Sequence, residues 1–526
     1  MPIRFIAPMS AVVVASLFWP VIAQAQDTPA DAPTFRVTSQ LVVLDVTVLD
    51  KNGRPVVKGL TKDDFTITDG DKQQRILSFE PPQVHVLDKN AVEDDPGGKA
   101  PMTIFVLDLL NSTFEDFAYI RYEIRRYLDD QPARLKSPAE LMVLGNRSLE
   151  MMQDYTTSKK DLLSALQHIP AALPFKLMNP GFAPERFAES LEALQQIALQ
   201  NKGIPGRKNI VWVGHGAPGM FLSPLPSHQV TQLVRYLHDT TNMLVDSRLS
   251  LFVIYPGLPV TGIELQVNET GAFTSTSHND PFSGDINFAK FVSETGGTLF
   301  YNRNDVDREI KLSQERGSEY YTLSYSPDSV DPNGKFRHIR VTLRNPQLRA
   351  LTKAGYYAPD QNAAADPRSK ALATLADAMW STVPFTAFNM RIADIVRHPD
   401  TGTIDFTLKF YSKHLVWKPG ENGGSTTNVM FAAASLNSRR HVLASNVQSL
   451  SVSARSREAG RLGTAVTTMP VTLRLPRKTQ SVRVVLEAGE SGTLGAFELD
   501  HKSLDAAPEA PTPVAVSHAP AAVGSR

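Results

Sequence analysis

The residues best suited to hold a ligand lie in the stretch FVLDLLNSTFED, residues 105–116. Asp108 follows an apolar run that is typical of a buried strand, and Asn111, Ser112 and Thr113 come soon after it. Carboxylate and hydroxyl oxygens are the ligands that hard divalent cations prefer, so this stretch could form the first half of a metal site. The same residue types also cap helices, because their oxygens accept hydrogen bonds from the free amides of a first turn.

His215 is a second candidate, since it lies between two glycines in the stretch WVGHGAPG. An imidazole at such a place can bind a metal or titrate near neutral pH, although a histidine there more often only ends a strand. The sequence has no cysteine, no H-E-x-x-H, no G-x-S-x-G and no phosphate-binding glycine loop. We therefore predict neither an enzyme nor a resident cofactor, with Mg²⁺ as the one cation to consider.

Residues 100–317 alternate between apolar runs and amphipathic segments. The apolar runs are MTIFVLDLL, AELMVLGN, RKNIVWVGHG, SLFVIYPG and TLFYN. This alternation predicts a mostly parallel sheet with helices on both faces. Asp108 ends the first predicted strand and His215 ends the third, so both are expected at the carboxyl ends of the strands.

Strand-like segments lie on both sides of this α/β region. Residues 35–99 alternate between apolar and polar positions and contain a hairpin signal at Asn52 and Gly53. Residues 318–359 contain three further strand-like stretches. Neither group is large enough to form a stable core alone, so we predict one β-sandwich into which the α/β region is inserted.

The C-terminal part is predicted to be all-β. Residues 360–384 read as a linker followed by a short helix, and residues 385–502 contain seven strand-like stretches that favour a second antiparallel sandwich. Residues 503–526 are rich in alanine and proline, and are predicted to be a disordered tail.

The N-terminus predicts export. Residues 1–25 combine Arg4, an apolar run and a small-x-small site, which are typical of a cleaved signal peptide. No later segment is apolar enough to span a membrane, and the absence of cysteine fits a bacterial periplasm or cell surface. Basic and acidic residues both number 54, so nothing favours nucleic acid as a partner.

Five segments in order resemble the VWFA-related proteins common in Acidobacteria. They are VVLDVTVLDKNGRPVVKGLTKDDFTITDGDKQQRILSFE, IFVLDLLNS, SETGGTLFYNRNDVDREI, YYTLSYSPD and KAGYYAP. The resemblance spans about residues 37–359. It implies a von Willebrand A-type, Rossmann-like domain in residues 100–317, and an adhesion-type module that binds a protein partner at the carboxyl ends of its strands.

In that fold, a metal-ion-dependent adhesion site uses the motif D-x-S-x-S, with a threonine and a second aspartate from later loops. Asp108 and Ser112 match the motif, whereas Leu110 replaces its first serine. Residues 165–230 contain no threonine, and a glycine-histidine turn stands where the second aspartate is expected. The resemblance therefore implies a degenerate metal site, and capping of the first helix by Asp108 and Ser112 is the favoured interpretation.

We expect a secreted protein-binding module whose contacts include Asn111, Thr113, His215 and the polar loop 268–285. Two alternatives stay open at this point. One is a secreted hydrolase with an unrecognised site, and the other is a structural component of the cell envelope.

Overall fold

The computed structural model describes most of the chain from Leu41 to residue 509. The described ranges are 41–87, 100–170, 173–221, 225–256, 282, 285–301, 305–327, 331–359, 367–388, 390–411, 415–419, 424–454, 466–489 and 491–509. The predicted signal peptide and nearly all of loop 268–285 lie outside these residues. The residues from Leu41 onward form one compact unit. Within the described ranges, no helix combines the length and apolar character needed to cross a membrane.

The elements of the first 318 residues begin with strands and then alternate. The N-terminal strands are β1 (Val42–Leu49), β2 (Phe65–Asp69), β3 (Lys72–Gln74) and β4 (Ser78–Glu80). The α/β region contains β5 (Met102–Asp108), α1 (Phe114–Asp129), β6 (Arg134–Leu144), β7 (Leu149–Ser158), α2 (Lys159–Gln167), α3 (Phe175–Met178), α4 (Ala183–Gln200), β8 (Lys208–Val213), β9 (Met220–Phe221), α5 (Ser227–Asp246), β10 (Leu249–Ile254), β11 (Asp285–Ile286), α6 (Lys290–Thr295), β12 (Leu299–Phe300) and α7 (Val306–Ser318).

The rest of the chain is mainly strand. After α7 come β13 (Tyr321–Tyr325), β14 (Phe336–Leu343), β15 (Arg349–Leu351), β16 (Gly355–Tyr357) and α8 (Pro367–Trp380). The last group is β17 (Met390–His398), β18 (Thr403–Tyr411), β19 (Lys418–Pro419), β20 (Ser425–Leu436), β21 (Val442–Ala454), β22 (Val466–Arg474), β23 (Ser481–Ala488), β24 (Leu494–Asp500) and α9 (His501–Asp505).

The central sheet has the strand order β12-β10-β8-β5-β6-β7. Five strands are parallel, and β7 runs antiparallel to β6 at one edge. Every residue of β5, β8 and β10 is buried, as expected for strands covered on both faces. The sheet is thus mostly parallel, as the sequence pattern predicts, and the half-exposed edge strand β7 is an antiparallel addition that the pattern did not reveal.

Successive residues of β5 pack against opposite faces of this sheet. Phe105 and Leu107 join one hydrophobic core with α1, α2 and α7, whereas Ile104 and Val106 join another with α4, α5 and α6. The chain proceeds from β5 to β6 on one side and resumes with β8 on the other side of β5. The carboxyl ends of β5 and β8 therefore border a topological switch point, where ligands of open α/β sheets bind.

Strands from before and after the α/β region pair with each other. The two four-stranded sheets have the orders β15-β1-β13-β4 and β16-β14-β2-β3. Leu44, Phe65, Tyr321 and Ile339 contribute to the hydrophobic core shared by these strands.

The C-terminal strands form one sheet of order β17-β18-β22 and a second that contains β19, β20, β21, β23 and β24. The second sheet and α8 also enter the core beneath α4, through Leu375, Met379, Ala432 and Val485. Arg483 reinforces this junction by donating hydrogen bonds from Nε and Nη2 to two backbone carbonyls near α8. The short helix predicted after the linker corresponds to α8, and residues 367–384 join two parts of the molecule instead of merely linking them.

The first residues of the predicted disordered tail are ordered. Helix α9 extends to Asp505, Leu504 is buried among the C-terminal strands, and Glu509 pairs with Arg397. The prediction was wrong for residues 503–509, because Leu504 supplies an apolar contact within a polar stretch. Residues 510–526 lie outside the described part of the chain.

Candidate functional site

Asp108 is the last residue of β5, and its side chain is fully buried. Its Oδ1 accepts hydrogen bonds from Asn111 N at 2.9 Å and from Asn111 Nδ2 at 3.2 Å. Its Oδ2 accepts from Trp212 Nε1 at 3.0 Å, from Gly216 N at 2.9 Å and from Asn111 Nδ2 at 3.2 Å. A carboxylate has about four lone-pair sites, so these contacts occupy the positions that a metal ion would need.

The environment of Asp108 affects its protonation in opposing ways. Burial is the largest influence and raises the pKa of Asp108 above its ordinary value. The hydrogen bonds from Asn111, Trp212 and Gly216 lower this pKa, and the net direction is upward. All five contacts come from N–H donors, which suits an acceptor carboxylate.

The glycines that flank His215 have a packing role. Gly214 and Gly216 both have a positive φ, of 145° and 67°. A Cβ atom on Gly214 would lie 2.4 Å from Asp108 Cβ, and one on Gly216 would lie 2.4 Å from the ring of Phe288. Glycine is required at position 214 because a Cβ there would collide with Asp108, and at position 216 because a Cβ there would collide with Phe288. Without these Cβ atoms the backbone lies close enough for Gly216 N to donate to Asp108 Oδ2.

The cation closest to this arrangement is Arg186, in the first turn of α4. Its Nη1 donates to Asn111 Oδ1 at 2.8 Å, and Asn111 Nδ2 donates in turn to Ser190 Oγ at 3.0 Å. Ser190 Oγ donates to the carbonyl of Arg186 at 2.8 Å. The Asn111 amide thus stands between the guanidinium of Arg186 and the carboxylate of Asp108.

Thr113, and not Asp108 or Ser112, caps the first helix. Thr113 Oγ1 accepts from Asp116 N at 3.1 Å and Thr113 N donates to Asp116 Oδ2 at 3.2 Å, which forms a capping box. The predicted cap was wrong because α1 begins at Phe114, too far along the chain for Asp108 to reach its first amides. The hydroxyl of Ser112 is buried and has no hydrogen-bond partner among the described residues.

His215 lies beside a carboxylate. Its Nε2 is 3.3 Å from Asp116 Oδ2, and its ring centroid is 5.8 Å from that of Tyr255. Ser112, the nearby hydroxyl group that could serve as a nucleophile, makes no hydrogen bond to this histidine. A hydrolase would need such a contact between nucleophile and base, so this geometry gives the hydrolase alternative no support.

The site residues predicted from the sequence therefore belong to two separate hydrogen-bonded groups. Asp108 and Asn111 share one buried network, whereas Thr113 and His215 both contact Asp116. Across the described ranges, no group of three or more histidine, aspartate or glutamate side chains is placed to hold a metal ion. The residues at this position do not fit a divalent cation.

A set of exposed apolar side chains lies on the same side of the sheet. This apolar rim consists of Leu173, Phe175 and Met178, whose exposed fractions are 72%, 51% and 75%. The carbonyl of Leu173 accepts a hydrogen bond from Asn146, which follows the carboxyl end of β6. The rim is therefore located at the carboxyl-end face of the central sheet.

Lys176 holds the apolar rim in place. Its side chain is 7% exposed, and its Nζ pairs with Glu185 Oε1 at 2.7 Å and with Glu189 Oε1. Both glutamates belong to α4, so the short helix α3 is fixed to α4 while its apolar side chains face outward.

Sequence reasoning missed Arg186, Ser190, Trp212 and the apolar rim. One signal was available, since Arg186 and Ser190 are separated by four residues in a helix with many apolar neighbours. That spacing places both polar side chains on the face that packs toward the sheet.

No protein-family profile and no curated protein matches this chain. Among solved structures, the VWA domain of SpRpn10 matches with 15% identity and a TM-score of 0.16, over 30% of this chain and 89% of that one. The pilus adhesin SpaC from Lactobacillus rhamnosus GG matches with 7% identity and a TM-score of 0.24, over 79% of this chain and 58% of that one. TM-scores this low carry no argument about the fold or function of this protein.

Proposed function

We propose that this protein is a secreted, adhesion-type binding module that contacts a protein partner through the carboxyl-end face of its central sheet. The apolar rim of Leu173, Phe175 and Met178 is the observation that carries this proposal. Exposed apolar side chains that are grouped together mark interaction sites more often than isolated ones do. Secretion rests on the sequence of residues 1–25.

The fixed position of the rim also favours binding. A loop that is already ordered before association loses less conformational entropy when a partner binds. The pairing of Lys176 with Glu185 and Glu189 supplies this order. The rim can thus present its apolar side chains without first having to fold onto α4.

Binding in this proposal requires neither a divalent cation nor catalysis. The carboxylate of Asp108 is fully engaged by protein donors, and His215 is paired with Asp116. Calorimetric titration with Mg²⁺ should accordingly give no micromolar isotherm. A micromolar isotherm that disappears in Asp108→Ala would contradict this part of the proposal.

The central test is a capture experiment with the full mature chain and a cell-envelope extract of the source bacterium. The test variant carries Leu173→Ser, Phe175→Ser and Met178→Ser together. We expect its retention of the captured partner to fall at least about tenfold, because central apolar anchors dominate binding energy.

A matched control carries three similar changes elsewhere. Val442, Val447 and Val466 are exposed apolar residues on strands of the C-terminal part, so all three are changed to serine. The control should retain the partner as the wild type does. Equal retention by the rim variant and the wild type, or a loss seen only in the control, would refute the proposal.

A further inference from the structure

Strand β21 leaves one edge of its sheet unpaired. It is 13 residues long, and β20 is the one strand among those described that pairs with it. Strand β20 separates it from β23, so β21 is an outermost strand of this sheet. Such a strand presents a row of backbone N–H and C=O groups that can pair with another chain, and natural proteins usually block these edges.

The register of β20 shows which backbone groups of β21 face outward. Gly489 N donates to Asn428 O, so the even-numbered residues of β20 direct their backbone groups toward β23. The odd-numbered residues of β20 therefore bond to β21, where their partners are even-numbered, as in the pair of Phe431 and Gln448. The backbone groups of the odd-numbered residues of β21 point away from β20. These residues are all exposed, and they are Ser445, Val447, Ser449, Ser451 and Ser453.

Three other outer strands of the C-terminal sheets have features that block pairing. Strand β24 is covered by Phe385, which exchanges two backbone hydrogen bonds with Ala496. Strand β17 has an irregular register, and Arg397 N on its outer side donates to the carbonyl of Pro508. Strand β22 contains Pro470, which cannot donate to a neighbouring strand. The sequence of β21 has neither a charged residue nor a proline, so its edge is open to pairing.

A second copy of β21 fits this edge because the edge is self-complementary. With a two-fold axis at Ser449, antiparallel pairing places Val447 opposite Ser451 and Ser445 opposite Ser453 of the other copy. Every outward residue then meets another outward residue, so all of their backbone N–H and C=O groups find partners. Serine hydroxyls both donate and accept, so two identical side chains are compatible at the axis. The second strand also brings no like charge against the first, since β21 is uncharged.

We propose that two copies of this protein associate through β21, so that their C-terminal sheets join into one continuous antiparallel sheet. This inference is independent of the proposed function, because the apolar rim belongs to the α/β region. The pairing uses backbone groups, so the Val447→Ser change in the control for the rim leaves it possible. A stable interface buries about 1,600 Å² in total, and a single pair of strands buries less, so we expect a dissociation constant on the order of 10 μM.

The first test is sedimentation velocity of the full mature chain from about 1 to 200 μM. The wild type should shift from monomer to dimer over this range. Ser449→Lys and Ser449→Glu should each weaken the dimer at least about tenfold, because each change sets two like charges against each other at the axis. An equal mixture of these two variants should associate again, since opposite charges then meet.

Two matched controls separate the edge from a general effect of substitution. Ser449→Ala keeps the backbone edge and adds no charge, so it should dimerise within about threefold of the wild type. Thr66→Lys adds the same charge at an exposed position on β2 in the N-terminal sandwich. It should also dimerise as the wild type does.

Hydrogen exchange resolved at single amides gives a second readout. The outward amides of Val447, Ser449 and Ser451 should become protected as the protein concentration rises. The amides of Gln448 and Leu450 already face β20 and should change little. This alternation would locate the contact at the edge of the strand and not on a face of the sheet.

Three results would overturn the inference. A wild type that stays monomeric over the whole range would leave the edge to an extended strand of another protein. Association that is unchanged in both charged variants would locate the dimer contact elsewhere. A mixture of the two charged variants that stays monomeric would rule out antiparallel pairing centred on Ser449.

Discussion

Two pairs of an aspartate and an arginine, one largely buried and one fully buried, lie at opposite ends of the central sheet, and they are built differently. At the amino end, Asp45 of β1 accepts hydrogen bonds directly from Nε and Nη2 of Arg248, the residue that precedes β10. At the carboxyl end, Asp108 and Arg186 are separated by the amide of Asn111.

The pKa values of the two carboxyl groups are shifted in opposite directions. Burial is the largest influence and on its own would raise the pKa of Asp45, but Arg248, Arg207 and Thr322 together outweigh it and the net pKa is lowered. The pKa of Asp108 is raised, since burial there is opposed only by neutral donors. The direct pair satisfies both of its charges and joins the N-terminal strands to the α/β region, whereas the separated pair leaves Arg186 Nε without a hydrogen-bond partner among the described residues.

The largest expected effect is from Asp45→Asn. This change leaves Arg248 without its carboxylate, next to a second buried cation, Arg207. Removing one partner of a buried ion pair costs about 3–5 kcal/mol, so we expect a loss of that size in the free energy of unfolding. Urea denaturation measures it, with the exposed Asp71→Asn as a control that should change stability by less than about 0.5 kcal/mol.

The pH dependence gives a second measure of the same pair. The folded-state pKa of Asp45 is below its ordinary value of 3.8. The unfolded chain therefore takes up this proton first as the pH falls, and the stability that Asp45 contributes is present above pH 3.8 and lost below it. If Asp45→Asn loses as much stability below pH 3.8 as the wild type does, the Asp45 pair is not what stabilises the amino end of the sheet.

A smaller loss is expected from Asp108→Asn. The amide of asparagine must direct its N–H₂ group at one of the donors from Asn111, Trp212 or Gly216, which leaves that donor unsatisfied. We expect a decrease of about 2–3 kcal/mol in the free energy of unfolding, because no direct ion pair is broken. If Asp108→Asn proves more costly than Asp45→Asn in the same urea series, the contrast between the two pairs is wrong.

The sequence predicted where Asp108 lies, but it did not predict which distant residues surround it. The position of Asp108 at the end of a buried strand follows from the apolar pattern before it. The partners Arg186 and Trp212 were not predictable, because they lie 78 and 104 positions further along the chain. Periodicity assigns a residue to a face of its own element, but it does not identify which distant element packs against that face.

The same limit explains why the strands of the C-terminal part were predicted but the packing of its helix α8 was not. Seven of the eight strands that the structure describes there could be predicted from the sequence pattern, and the two-residue strand β19 was missed. The packing of α8 beneath α4 was missed because only Leu375 and Met379 mark the buried side of a helix that follows a polar stretch. Two apolar residues on a short helix are compatible with a linker as well as with a buried contact.

The smallest expected effect concerns a third buried carboxyl group, which has no cation as its partner. Glu140 of β6 is fully buried, and its Oε2 accepts from Gln200 Nε2 at 2.8 Å. Its Oε1 has no hydrogen-bond partner in the described part of the chain. Burial, assisted by the charge of Asp154, raises the pKa of Glu140 well above its ordinary value of 4.5.

This raised pKa makes stability fall as the pH rises. Above pH 4.5 the unfolded chain releases the proton of Glu140, while the folded protein still holds it. The folded state therefore binds more protons, and the free energy of unfolding decreases with pH until the folded pKa is reached. Glu140→Gln removes this titration, so it should flatten the pH profile and raise stability at pH 7 by about 1 kcal/mol relative to its effect at pH 4.

The measurement is a series of urea denaturation curves from pH 4 to pH 8, with the exposed Glu150→Gln as the matched control on the adjacent strand β7. Glu150→Gln should leave the slope of stability against pH unchanged. If Glu140→Gln instead lowers stability equally at every pH, Glu140 is ionised in the folded protein. In that case a buried carboxylate in this sheet would need neither a cation nor a full set of donors, and the contrast drawn between Asp45 and Asp108 would lose its physical basis.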